Sequence, residues 1–225
     1  MDIEKIKNDI TTASHLAFDK RVPIQKKYSW KDDDARLTVF NKLQRLLASI
    51  SLGYFLMETV VQKKEWWKQN QPDFTDESVT KAFDDFEMLF RIGLIHNLMY
   101  CVESSFRIYV KTIDEDSYKK MQGQFKSIYD WLLKKLNLQA TNVELLDLFR
   151  NIRNTMHNNG LFFPTSGNDQ TIIHKGITYK FEVGKPNNFV TTQLIVDLTP
   201  DLINLVENVV QASPLADIGH IQEIS

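Results

Sequence analysis

With 225 residues, the chain is long enough to bury a sizeable core and short enough to form one domain. Its 27 basic and 29 acidic residues nearly cancel, which excludes a strong long-range field for polyanions and leaves only a local basic site for nucleic acid. A single cysteine excludes an internal disulfide framework and a Cys-based zinc site, while 8 glycines and 6 prolines favour long helices over a turn-rich β architecture.

The opening "MDIEKIKNDI" is charged and lacks the apolar core of a signal peptide. Ile3, Ile6 and Ile10 predict a short amphipathic helix reaching about Phe18. "RVPIQKKYSWKDDD" reads as a connection whose Asp32, Asp33 and Asp34 supply an N-cap and first-turn acid. Leu37, Phe40, Leu43, Leu47, Ile50, Tyr54, Met57 and Val61 then recur at three- and four-residue steps, predicting a long helix over 35–68 that stops before Pro72. Its apolar run "LLASISLGYFLMETVV" falls short of the roughly 20 residues a membrane span requires. The expectation is a cytoplasmic protein with no membrane partner. One tryptophan of the pair Trp66–Trp67 is expected to be buried.

A second long helix is predicted over 76–111, through Phe83, Phe86, Phe90, Leu94, Leu98, Cys101 and Phe106, with Cys101 a buried thiol. Shorter helices follow over 118–136 and 142–157. After Gly160 the period shifts towards two, and "QTIIHKGITYKFEV" predicts a hairpin over about 170–185, turning at Lys175–Gly176. "LTPDLINLVENVVQAS" restores a helix, with Thr199 as N-cap and Pro200 at the first helical position. The tail, 213–225, is expected to be loose. The fold class is therefore mainly α: one domain over 1–225, an antiparallel helical bundle with a small β-hairpin before the last helix.

Chemistry concentrates in "LFRNIRNTMHNNGLFFP", residues 148–164. On a helical wheel Leu145, Leu148, Phe149, Ile152 and Met156 form a core stripe, and Arg150, Arg153 and His157 follow the neighbouring one with Asn154 beside them. Arg150 and His157 stand two turns apart, about 10.5 Å of rise, so both can reach one phosphate between them. Guanidinium forks bind phosphate and an imidazole moves protons near neutral pH. Those groups suffice for phosphodiester chemistry without a metal. The same residues also serve as ordinary helix C-terminal caps and dipole partners.

A multi-helix bundle carrying "RNIRNTMHNNGLFF" near the end of a late helix resembles the HEPN superfamily, whose members commonly have an arginine separated from a histidine by four to six residues. The resemblance implies a metal-independent endoribonuclease without a cofactor, its Arg/His site composed at a homodimer interface. It equally admits a non-catalytic module binding RNA, nucleotide or a protein partner such as an antitoxin or regulator in stress or defence. On this resemblance His157 is the motif histidine, Arg150 its arginine and Asn151 the polar residue after it. Arg153–Asn154 is the second candidate, with three residues before His157. The resemblance also implies an acidic residue on the facing helix, Glu103, to orient His157 or Arg150. Its spacing from Arg107 alternatively gives an ordinary intrahelical pair.

Other candidates are weaker. His96, on an apolar face, reads as a core or boundary histidine, and His174, beside the hairpin turn, as exposed. No pair has zinc-ligand spacing. "VGKPNN" lacks a glycine-rich phosphate loop.

Overall fold

The computed structural model describes residues 2–138 and 140–223. In chain order it contains α1 (Ile3–Tyr28), α2 (Ala35–Leu56) running into a π-helical turn (Met57–Val61), α3 (Lys64–Asn70), α4 (Asp76–Ile113), α5 (Glu115–Lys120), α6 (Phe125–Lys135) and α7 (Ala140–His157). The hairpin β1 (Gln170–His174) and β2 (Ile177–Phe181) follows, and α8 (Thr192–Gln211) closes the order. This is the mainly helical bundle, with a hairpin before the last helix, that the hydrophobic periods predict. α1 packs on α2 and α8, α2 on α4, and the C-terminal half of α4 on α6 and α7. The close approach of α2 to α4 depends on Gly53, where an added Cβ would run into the Phe90 ring.

Several boundaries differ from the sequence reading, each for a tertiary reason. α1 does not stop near Phe18 but continues through Pro23 to Tyr28. Ala13, Ala17 and Ile24 extend its buried face, so packing outweighs the backbone bond that proline removes. The predicted 35–68 helix breaks at the π turn, where Gln62 N–H donates to the Met57 carbonyl at 2.9 Å. Beyond it Trp67 Nε1 donates to the Val61 carbonyl at 2.6 Å and the ring stacks on Phe74, which leaves Trp67 half-buried and Trp66 exposed, so neither tryptophan is buried as expected. The predicted 118–136 helix divides into α5 and α6 because Gln122 and Gly123 adopt φ of 50° and 72°.

The start of α8 is also earlier than expected. Thr191 is the N-cap, accepting from Leu194 N–H at 3.2 Å, and Pro200 lies inside the helix. Thr199 is not a cap. Its hydroxyl donates to the Ile195 carbonyl at 2.8 Å, while Ile195, Val196 and Leu198 bury the turn before the proline. The hairpin turns where expected, with Lys175 and Gly176 at φ of 50° and 78°, the left-handed pair a tight hairpin requires.

The tail is not loose where it is described. Ala35 N–H donates to the Ile221 carbonyl at 2.8 Å, and Ile221 N–H donates to Asp34 Oδ2 at 3.1 Å. The last two residues of the predicted tail, 224–225, lie outside the described residues. Asp34 is the N-cap of α2, as its sequence suggests, and is also completely buried beside Arg36.

Candidate functional site at the seam of α4 and α7

The core stripe of α7 forms as predicted: Leu145, Leu148, Phe149 and Ile152 are buried, with Met156 partly so. Asn151, the polar residue of the motif, is fully buried too. Its Nδ2 donates to Gln170 Oε1 at 2.7 Å, tying α7 to the hairpin and leaving the side chain no access to a substrate.

The neighbouring stripe separates according to the partners each long side chain finds. Arg150 Nε donates to Tyr129 Oη at 3.3 Å and Nη2 to Asp147 Oδ1 at 3.1 Å, while Tyr129 donates to the same carboxylate at 2.6 Å. Burial opposes the charge of Arg150, but Tyr129 and Asp147 outweigh it and hold the guanidinium protonated above its usual range. Burial, and then Asp147, push the Tyr129 phenol up, so it stays neutral. Arg150 lines a cavity of about 460 Å³ with Lys126, Thr165 and Ser166.

Arg153 turns to α4 instead. Its Nη1 donates to Glu103 Oε2 at 3.0 Å, and the other oxygen of Glu103 takes Arg107 Nη2. Glu103 thus orients Arg153, in place of His157 or Arg150. Asn154 is half-buried, and its carbonyl accepts Asn158 Nδ2 at 2.9 Å. His157, exposed in the last turn of α7, packs its ring 4.0 Å from that of His96 on α4, centroid to centroid, at 58°. The pairs His96–His157 and Glu103–Arg153 run in opposite chain senses, so α4 and α7 are antiparallel along this seam.

His96, which its sequence context marks as a core or boundary histidine, belongs to this seam. It is half-buried, and its Nε2 is buried with no hydrogen-bond partner among the described residues. Burial, followed by the nearby His157 and Arg153, lowers its pKa from the ordinary histidine value. His96 and Glu103 lie two turns apart on one face of α4, the face that meets His157 and Arg153 of α7.

This depression gives a pH dependence of definite sign. Unfolded His96 takes up its proton near pH 6.5, before the folded residue does. Its contribution to stability is complete above that value and is lost as pH falls towards the lower folded pKa. His96→Phe should therefore flatten the decline of Tm below about pH 6.5. Parallel Tm–pH curves for the two proteins would contradict the assignment.

Beyond His157 the chain turns sharply. Asn159 and Gly160 take φ of 52° and 84°, and Gly160 N–H donates to the Thr155 carbonyl at 2.9 Å. Asn187 N–H then donates to the Gly160 carbonyl at 3.2 Å, which brings residues 186–190 alongside. Between this segment, α4 and the end of α7 lies a groove of about 650 Å³.

The remaining candidates fall elsewhere. His174 is buried, contrary to the expected exposure, because its Nε2 lies 3.1 Å from Asp201 Oδ2 on α8. Burial acts to raise the Asp201 carboxyl, but hydrogen bonds from Lys175 and His174 outweigh it and hold it below the usual range. Cys101 is buried, which pushes its thiol up to about 11. Among the described residues no three His, Cys, Asp or Glu side chains are grouped to hold a metal ion. Among them, too, no helix is long and apolar enough to cross a membrane. Compared with known protein families, curated proteins and solved structures, the chain matches none.

Proposed function

We propose that this chain is a metal-independent endoribonuclease of the HEPN kind, acting in the cytoplasm, with His157 and Arg153 as its working groups. The observation that carries this reading is the exposed His157 imidazole packed against neutral-favouring His96, one helical turn from an arginine braced by Glu103. In this reaction the substrate 2′-oxygen forms a bond to the adjacent phosphorus while the bond to the 5′-oxygen breaks. The proton leaves the 2′-hydroxyl, and another reaches the departing 5′-oxygen. His157 exchanges these protons and Arg153 stabilises negative charge on the non-bridging oxygens. Arg150, held by Asp147 and Tyr129, is the weaker candidate for that second role.

One such seam supplies few groups, so the active form is a homodimer that sets two copies side by side across a two-fold axis. Leu89 and Tyr100, on the same helix as His96, are 63% and 66% exposed and offer apolar surface for this contact. Sedimentation should show a dimer at micromolar concentration. A monomer there would remove the shared site.

A second reading has its own support. Both motif arginines are already matched to carboxylates, Arg150 to Asp147 and Arg153 to Glu103, and the net charge is −2. That pairing suits a non-catalytic module which binds RNA, a nucleotide or a protein regulator such as an antitoxin. Incubating the pure protein with RNA in chelator separates the two readings. Cleavage leaving a 2′,3′-cyclic phosphate supports the nuclease; binding without cleavage supports the module.

A further inference from the structure

The groove beside the imidazole pair has a composition of its own. Its volume of about 650 Å³ falls in the roughly 300–1,000 Å³ range of small-molecule sites. Met88 and Ile92 on α4 and Met156 on α7 supply its apolar wall, and Asn159, Asn187 and Asn188 supply amides. Ile92 lies one turn before His96, and Met156 immediately precedes His157, so the groove is lined by chain neighbours of both imidazoles, although neither imidazole lines it. Arg91 is anchored at its rim by Nη1 donating to the Val190 carbonyl at 3.2 Å, while its buried Nε has no partner among the described residues.

From this arrangement we infer that the groove is a nucleobase subsite, seating the base next to the phosphate that His157 and Arg153 engage. The inference rests on the nuclease reading for its placement but has an independent chemical basis. Thioethers give polarizable surfaces for a flat aromatic ring, and a guanidinium edge stacks on or donates to the same ring. Asparagine amides carry both donors and acceptors, matching the hydrogen-bonding edge of a base. Asn187 is buried, its Nδ2 donating to Thr155 Oγ1 at 3.2 Å and its backbone N–H to the Gly160 carbonyl, so it braces the wall on which the exposed Asn159 and Asn188 present their amides. A lipid tail would leave these amides unpaired, and an acidic peptide would find only one guanidinium there.

The test uses the whole protein with methyl-labelled methionine. Adenosine, guanosine, cytidine and uridine are titrated one at a time to millimolar concentration, and inorganic phosphate separately. At least one nucleoside should shift the Met88 and Met156 methyl signals. Asn188→Leu, at an exposed position, should weaken that nucleoside about 5-fold, the worth of one hydrogen bond, and leave the response to phosphate unchanged. Met88→Glu serves as a second variant that alters the wall without the amides. The subsite is overturned if no nucleoside moves either methyl, or if both variants bind as the wild type does. RNA cleavage measured on the same preparation keeps the two proposals apart: cleavage without methyl shifts removes the subsite alone, and shifts without cleavage remove the nuclease alone.

Discussion

Arg36→Leu is expected to destabilise the protein by about 3–5 kcal/mol, the cost of leaving one partner of a buried ion pair alone. Arg36 and Asp34 are both completely buried. Arg36 Nε and Nη2 donate to the two oxygens of Asp34 at 2.8 and 2.7 Å, and Nη1 donates to the carbonyls of Leu215 and Ile218 at 2.9 Å each. Nη2 also reaches the Gly219 carbonyl, and Trp30 lies over the guanidinium at 3.7 Å. Leucine fills much of the volume but leaves a buried carboxylate without its counter-charge and three carbonyls without their donor. Burial acts to raise the Asp34 carboxyl, yet Arg36 and the backbone N–H of Ile221 hold it below the usual range, so it stays charged at neutral pH. The effect is a large share of the roughly 5–15 kcal/mol available to a typical domain. Chemical denaturation measures it directly. A loss below about 1 kcal/mol would mean the clamp contributes no more than a surface pair. The double variant Arg36→Leu with Asp34→Leu should recover part of the loss, since neither charge is then stranded.

This clamp marks where sequence reading stops. "KDDDAR" is legible as a helix start, and Asp34 does cap α2. Nothing local says that Arg36 will collect carbonyls from the far end of the chain. The same limit explains α1 and α8: Pro23 and Thr199–Pro200 look like boundaries by local preference, and only the packing of Ile24, Val196 and Leu198 overrides them. Where local and tertiary preferences agree, the elements stand as read, as in α4 and the Lys175–Gly176 turn. At the site, the wheel places Arg150, Arg153 and His157 on one stripe correctly, but it cannot say which neighbouring helix supplies each partner. Asp147 and Tyr129 draw Arg150 one way, and Glu103 draws Arg153 another. His96 was hidden because an apolar helical face looks the same from sequence whether it meets a core or a second imidazole.

The largest functional effect is expected from His157→Ala. The imidazole is exposed and off the core stripe, so its removal leaves α7 packed by Leu148, Phe149 and Ile152. Loss of a positioned acid–base group should lower the cleavage rate on the order of 10²-fold or more. Arg153→Ala should lose a comparable factor through charge stabilisation, whereas Arg150→Ala should act less on rate than on stability, since it takes the guanidinium out of the network that Asp147 forms with Tyr129 and Lys126. This ordering distinguishes the two motif arginines. An Arg150→Ala protein that stays as stable as the wild type yet loses all cleavage would reverse it.

Whether His157 is the acid–base group is decided by RNA cleavage with wild-type and His157→Ala protein in chelator, with thermal melting of both preparations alongside. The wild type is expected to cut and leave a 2′,3′-cyclic phosphate, and a folded His157→Ala protein with nearly unchanged Tm is expected not to. A folded His157→Ala protein that cuts RNA at the wild-type rate would contradict that role.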